Sequence, residues 1–224
     1  PLLAFPLVLA MGCAFGAFMG LLIDALKIPA FIITLAGMFF LRGVSYLVSE
    51  ESIPINHPVY DTLSGLAWTI PGGGRLSAMG LLMLLVVVAG IFVAHRTRFG
   101  NQVYAIGGNM TSAKVSGINV NKYLVIVYTI AGALSGLAGV VLAARVSSGQ
   151  SSMGMSYELD AIAAAVIGGS SLMGGVGRIT GTLIGAMILG LIKSGFTFVG
   201  VDAYVQDIIK GIIIVAAVTI DMRR

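Results

Sequence analysis

Long apolar runs separated by short polar stretches make up most of this chain. A helix needs about 20 apolar residues to cross a bilayer core roughly 30 Å thick, so the pattern predicts an all-α, polytopic transmembrane helix bundle of about seven spans. The apolar runs lie at about 3–23, 29–48, 77–94, 123–143, 159–176, 179–199 and 204–220.

The fifth run differs from the others because glycines interrupt it. Gly168, Gly169, Gly174 and Gly175 all fall within its bounds. Such interruption is typical of a discontinuous helix that lines a cavity instead of facing lipid. We therefore expect a broken or short helix at this place.

The composition agrees with an integral membrane protein and leaves little chain for a soluble domain. Of 224 residues, 58% are hydrophobic and 10% are charged, which excludes an ordinary water-soluble domain. We predict a single transmembrane domain over residues 1–224. Because the sequence starts at Pro1 with neither a Met nor a signal pattern, we also expect its amino-terminal part to be missing.

Basic residues indicate which loops of a membrane protein stay in the cytoplasm. They gather in the loop at about 95–122 and at Arg223 and Arg224, so both regions are predicted to be cytoplasmic. The chain returns to the same side after the four runs between them, which is consistent. The loop at about 49–76 is then external. The net charge of +4 is interpreted as topology and contact with membrane lipid, and nucleic acid is not a predicted partner.

The cytoplasmic loop "RTRFGNQVYAIGGNMTSAKVSGINVNKY" is too patterned to be a simple turn. We expect the chain to break at Gly107, Gly108 and Asn109. A short helix that contains Ala113 and Lys114 should follow this break.

Capping residues frame that short helix. Thr111 or Ser112 is its predicted N-cap, and Gly117 is its predicted end. A short helix beneath a transmembrane bundle suits the grip of a peripheral ATPase, and it equally suits a basic helix that lies on anionic lipid. The spacing alone leaves both interpretations open.

Two carboxylates, Glu158 and Asp160, stand at the start of the interrupted fifth run. Residues two apart diverge by about 200° on a helix, which argues against an acid/base pair. The glycines that follow lack the G-x-x-x-x-G-K-[ST] spacing of a phosphate loop. The carboxylates could simply complement the helix dipole at an external entrance, or they could project into a central pathway.

Other chemistry is sparse. Arg42 lies deep within the second run, where its charge is costly unless it is paired or reaches a wet cavity. His57 and His95 fall on opposite sides of the membrane in this topology, and Cys13 is the one cysteine, so no metal site is predicted. No catalytic arrangement is visible, and the chain is not predicted to be an enzyme.

Two blocks of sequence carry a family resemblance. "VYAIGGNMTSAKVSGINVNK", followed after a span by "YELDAIAAAVIGGSSLMGGVGRITGTLIGA", resembles the permease subunit of the ribose/galactose-type sugar ABC importers of bacteria. The stretch "IDALKIPAFIITLAGMFFLRGVSYLV" is most similar to galactofuranose-type permeases. The resemblance places the chain in the branched-chain/ribose family of binding-protein-dependent transport permeases.

The resemblance implies a function and a set of partners. The expected function is translocation of a monosaccharide across the bacterial inner membrane, without a cofactor. The expected partners are separate ABC ATPase subunits, a periplasmic sugar-binding protein and a second permease subunit. The residues expected to couple to the ATPase are Gly107, Gly108, Asn109, Ala113, Lys114 and Gly117. The candidates for the translocation pathway are Glu158, Asp160, Gly168, Gly169 and Arg42, with the carboxylates bonding sugar hydroxyls or pairing with a basic residue such as Arg145.

An ion-coupled secondary transporter is the alternative from another class. Glu158 or Asp160 would then carry a proton or cation through a broken helix. The long cytoplasmic segment argues against it, because an ion-coupled carrier would not require such a segment. A non-functional partial gene is the remaining alternative.

Overall fold

The computed structural model describes residues 3–55, 65, 67–69 and 75–222. Much of the predicted external loop at 49–76 lies outside the described residues, as do His57, Arg223 and Arg224. In chain order the elements are α1 Ala4–Leu26, α2 Ala30–Val48, β1 Ile53–Pro54, β2 Ala67–Thr69, β3 Arg75–Ser77, α3 Ala78–Arg96, α4 Arg98–Gly108, α5 Met110–Val115, α6 Val120–Val146, β4 Ser148–Gly149, α7 Tyr157–Ile167, α8 Ile179–Val199 and α9 Ala203–Met222.

Helices dominate these elements, which confirms the prediction of an all-α, polytopic bundle. Among the described helices, five are long and apolar enough to cross a membrane, namely α1, α2, α3, α6 and α8. The predicted count of seven spans is not confirmed. The four short strands form two small antiparallel pairs, β1 with β4 and β2 with β3.

The apolar run at 159–176 forms a helix over only part of its length. Helix α7 has 11 residues and ends at Ile167, so its rise of about 16 Å is about half of a bilayer core. Gly169 follows with a φ of +83°, a left-handed conformation that glycine adopts readily. The expectation of a short helix at this place is confirmed.

Contacts within the chain form two compact units, and the first contains residues 1–83 and 119–153. Helices α1 and α6 cross closely there, because a Cβ added at Gly12 would overlap the carbonyl of Gly132 and one added at Gly16 would overlap that of Tyr128. Small residues allow such close approach where lipid gives no hydrophobic drive between helices. The single domain predicted over 1–224 stays a prediction.

Helices α2 and α6 end on the same side of the first unit. Strand β1, which follows α2, pairs with β4, which follows α6. The Ser151 hydroxyl donates to the carbonyl oxygen of Ser45 at 3.0 Å. This placement agrees with the alternating topology, which requires both helices to end on the external side.

The α1–α6 crossing gives a testable expectation for Gly132. A Cβ at Gly132 would overlap the carbonyl of Gly12, whereas a Cβ at Gly139 on the same helix meets nothing within 4 Å. We expect Gly132→Ala to destabilise the protein by about 1–3 kcal/mol through overpacking. Gly139→Ala should be neutral or slightly stabilising, because Ala is about 1 kcal/mol better than Gly in a helix. Thermal unfolding of the full-length protein in detergent would measure the difference, and equal melting temperatures would contradict the assignment.

The second unit contains residues 84–118 and 154–224, and it holds α4, α5, α7, α8 and α9. Helix α7 packs closely on α8, since a Cβ at Gly181 would overlap the carbonyl of Gly168 and one at Gly185 would overlap that of Ala164. Helix α7 is therefore held against α8 at two glycine positions.

Candidate functional site

The loop at 95–122 folds into two helices, α4 and α5, which we call the α4–α5 segment. Thr97 starts α4, and its side chain accepts a hydrogen bond from the backbone N–H of Gly100 at 3.3 Å. Gly107 and Gly108 are the last two residues of α4, so the chain break predicted at these glycines is wrong. The break falls at Asn109, whose φ of −156° and ψ of 103° are extended.

The predicted cap of the short helix also needs correction. The side chain of Asn109, and not that of Thr111 or Ser112, accepts a hydrogen bond from the backbone N–H of Ser112 at 2.9 Å. An Asn at the residue before a helix satisfies an amide that the helix itself leaves free. The predicted end is confirmed, since Gly117 has a φ of +83° and donates its N–H to the carbonyl of Lys114.

Helix α5 has one buried position and an otherwise open surface. Ala113 is 4% exposed, whereas Met110 is 55% and Val115 is 84% exposed. Lys114 is exposed as well. The segment is thus anchored through one small side chain and presents two apolar side chains and a cation outward.

Four glycines join the α4–α5 segment to the turn after α7, and we call this the glycine contact. A Cβ at Gly107 would lie 2.7 Å from the backbone nitrogen of Gly175. One at Gly174 would lie 2.6 Å from the Gly107 oxygen, and one at Gly175 would lie 2.6 Å from the Cα of Gly108. Gly174 and Gly175 have φ values of +92° and +75°. Two backbones therefore touch directly, with no room for side chains between them.

Tyr104 adds a polar bond beside the glycine contact. Its hydroxyl donates to the carbonyl oxygen of Gly177 at 2.9 Å, and its ring stacks on His95 with centroids 6.1 Å apart. Tyr104 was not among the predicted site residues. The turn that links α7 to α8 is thus held on α4 both by packing and by a hydrogen bond.

The two carboxylates at the start of α7 have different surroundings. Glu158 is exposed, whereas the side chain of Asp160 is 32% exposed. The Lys210 ammonium lies 2.8 Å from Asp160 Oδ1 and 3.4 Å from Asp207 Oδ1. The basic partner of Asp160 within the second unit is therefore Lys210 on α9.

Asp160 and Lys210 line a cavity of about 440 Å³ between α7, α8 and α9. Asp207, Lys193 and Gln206 complete its polar lining, and the other lining residues are apolar or glycine. We call it the charged cavity. Neither Lys193 nor Lys210 was among the predicted site residues. Asp207, three residues before Lys210, was the available signal for a charge cluster on one face of α9.

Of the other pathway candidates in the second unit, Glu158, Gly168 and Gly169 do not line the charged cavity. Gly168 and Gly169 belong to the turn after α7, where Gly168 packs on the backbone of Gly181. Arg42 is half-buried and belongs to the first unit. Over the described part of the chain, no group of three or more His, Cys, Asp or Glu side chains could hold a metal ion.

Comparisons with known proteins give a family. The family described as branched-chain amino acid transport system / permease component matches residues 1–218. The inner membrane ABC transporter permease protein YjfF of Escherichia coli K12 is 70% identical over 200 residues, which are 89% of this chain and 60% of that protein. No solved structure matches the chain.

Two further relatives from Escherichia coli K12 carry a substrate in their names. The ribose import permease protein RbsC is 43% identical over 226 residues, which cover 100% of this chain and 70% of that protein. The galactose/methyl galactoside import permease protein MglC is 38% identical and matches 96% of this chain and 65% of that protein. The predicted resemblance is confirmed, and the chain, a multi-pass membrane protein, belongs to the family of branched-chain amino acid transport system permease components.

Proposed function

We propose that the chain is part of the permease subunit of an ATP-driven importer, which moves a monosaccharide across the bacterial inner membrane and catalyses no reaction itself. The names of RbsC and MglC support import of a sugar. The name of YjfF supports a position in the inner membrane. The chain spans 60% of the length of YjfF, so this activity is proposed for the permease as a whole.

The glycine contact is the observation that carries this proposal. At this contact the α4–α5 segment packs directly on the turn after α7, and both belong to the same compact unit. A force applied to the α4–α5 segment would therefore reach the turn after α7 through two backbones in contact. Packed elements transmit such small shifts well, because their interiors are not continuously deformable.

The surface of α5 fits a protein partner. Basic residues flank the segment, which supports a cytoplasmic position, and the exposed Val115 and Met110 offer apolar contacts beside the cation of Lys114. We propose that an ABC ATPase subunit binds here. A periplasmic sugar-binding protein would deliver the ligand on the other side, and a second permease subunit would complete the transporter.

Ion coupling has less support. Its carrier would be Glu158 or Asp160, and the Lys210 ammonium at 2.8 Å already compensates the charge of Asp160. Glu158 is exposed and does not line the charged cavity.

Substitution of Val115 tests the proposed ATPase surface. In the full-length permease, we expect Val115→Asp to abolish co-purification of the ATPase and sugar uptake, because a carboxylate would enter an apolar contact. The fold should survive, since Val115 is 84% exposed. Val115→Thr keeps the shape without the charge and should keep both activities. Full ATPase recovery and uptake with Val115→Asp would refute the proposed surface.

A further inference from the structure

We infer that the charged cavity is a binding subsite for a neutral, polyhydroxylated ligand of monosaccharide size. The inference rests on the proposed function and adds to it a place and a chemical class of ligand. Asp160 was a pathway candidate from the sequence. Asp207, Lys210, Lys193 and Gln206 are new to the site.

The size and lining of the cavity suit a small ligand. Its volume of about 440 Å³ lies within the roughly 300–1,000 Å³ that is typical of small-molecule sites. Apolar side chains such as Leu189, Phe196 and Ile213 form much of its wall, and they offer contact to the C–H faces of a sugar ring. A few polar groups on an apolar wall are the usual means of fixing a ligand's orientation.

The charges of the lining favour a neutral ligand. Two carboxylates, Asp160 and Asp207, face two ammonium groups, Lys193 and Lys210, so their formal charges cancel. A ligand with a net charge would leave an uncompensated charge in a half-buried site, which is costly. A neutral ligand avoids this cost.

The same groups can hydrogen-bond the hydroxyls of a sugar. A hydroxyl donates one hydrogen bond and accepts others, whereas an ionised carboxylate only accepts and an ammonium only donates. The Lys210 ammonium stands between the carboxylates, 2.8 Å from Asp160 Oδ1 and 3.4 Å from Asp207 Oδ1. Adjacent hydroxyls on a sugar could therefore bond both kinds of group at once.

Cysteine protection tests the subsite at Gly190. Gly190 lines the charged cavity, whereas Gly195 on the same helix does not, and a Cβ at either position meets nothing within 4 Å. The full-length permease, reconstituted with its ATPase and its sugar-binding protein in proteoliposomes, would carry Gly190→Cys or Gly195→Cys after replacement of its native cysteines, Cys13 among them. The rate of modification by N-ethylmaleimide would be measured with and without D-ribose or D-galactose.

We expect the imported sugar to slow modification at Gly190→Cys and to leave Gly195→Cys unchanged. When the sugar is present at about ten times the concentration that half-saturates the site, modification should be about tenfold slower, because about one site in ten remains free. D-ribose 5-phosphate, which carries a net charge, should not protect. Two results, in a preparation that imports the sugar, would overturn the subsite and leave the proposed function intact. One is a rate of modification at Gly190→Cys that the sugar does not change, and the other is no modification of Gly190→Cys at all. A preparation without ATP-driven uptake of either sugar would count against the proposed function.

Substitution of Asp160 and of Glu158 gives a second test of the subsite. We expect Asp160→Asn to raise the half-protecting sugar concentration about tenfold, since bonds to charged groups are among the stronger hydrogen bonds. Glu158→Gln should leave it unchanged, because Glu158 is exposed and outside the cavity lining. Equal shifts for the two variants, or no shift for either, would contradict the assignment of Asp160 to the ligand.

Discussion

Gly107→Ala is expected to uncouple ATP hydrolysis from sugar uptake in the full-length transporter, while Gly108→Ala is expected to leave it coupled. The new Cβ at Gly107 would lie 2.7 Å from the backbone nitrogen of Gly175, whereas one at Gly108 has its nearest neighbour at 4.0 Å. Overpacking of this kind costs about 1–3 kcal/mol, so the glycine contact should open. We expect uptake per ATP hydrolysed to fall about tenfold or more.

The two neighbouring variants control for each other. Both replace Gly by Ala in the last turn of α4 and gain about the same helix propensity. Neither changes the exposed side chains of α5, so ATPase co-purification should persist in both. Reconstituted proteoliposomes give uptake and hydrolysis in one preparation. If Gly107→Ala and Gly108→Ala showed the same coupling ratio, the glycine contact would not transmit the motion.

Lys210→Met is expected to destabilise the second unit. It leaves the carboxylate of Asp160, 32% exposed, without the cation that lies 2.8 Å away. Removing one partner of a buried pair costs about 3–5 kcal/mol, and the partial exposure of this pair places the expected loss below that range. Thermal unfolding in detergent, with the yield of monodisperse protein, would measure it.

Neutralising the carboxylate as well should reverse much of that loss. The double variant Asp160→Asn/Lys210→Met has no unpaired charge at this position, so we expect it to unfold at a higher temperature than Lys210→Met. Asp207→Asn is the matched control, because the Asp207 side chain is 74% exposed and lies 3.4 Å from the ammonium. Exposed pairs contribute little, about 0–1 kcal/mol. A double variant as unstable as Lys210→Met would show that the pair does not account for the effect.

The helices were predictable where apolar length alone decides the structure. Helix α8 spans Ile179–Val199, as the apolar run at 179–199 predicts. The end of α7 was less predictable, because hydropathy continues past Ile167 while the backbone turns at Gly168 and Gly169. Hydropathy depends on the apolar side chains and contains no information on the backbone conformation that glycine permits.

The glycines of the α4–α5 segment were misread for a similar reason. "IGGN" suggests a chain break, since glycine is a poor helix former. The structure keeps Gly107 and Gly108 within α4, where the missing side chains allow contact with the turn at Gly174 and Gly175. That contact joins residues far apart in sequence, and one sequence gives no local signal for it.

The ion pair between Asp160 and Lys210 was missed because charged residues near helix ends usually need no partner. Both residues lie within reach of a membrane surface under the predicted topology, so long side chains could extend to water. Asp160 is a short carboxylate at the start of α7, and α9 brings Lys210 to it from 50 residues away. The helix packing, which the sequence pattern does not contain, selected the partner.

Sugar uptake into proteoliposomes tests the proposed function most directly. The full-length permease would be reconstituted with its ABC ATPase and sugar-binding protein, or alone, and uptake of labelled D-ribose and D-galactose would be followed with ATP or with an imposed proton or sodium gradient. The proposal predicts uptake that requires ATP and both partners and proceeds without an ion gradient. Uptake by the permease alone, driven by an ion gradient without ATPase, would contradict it.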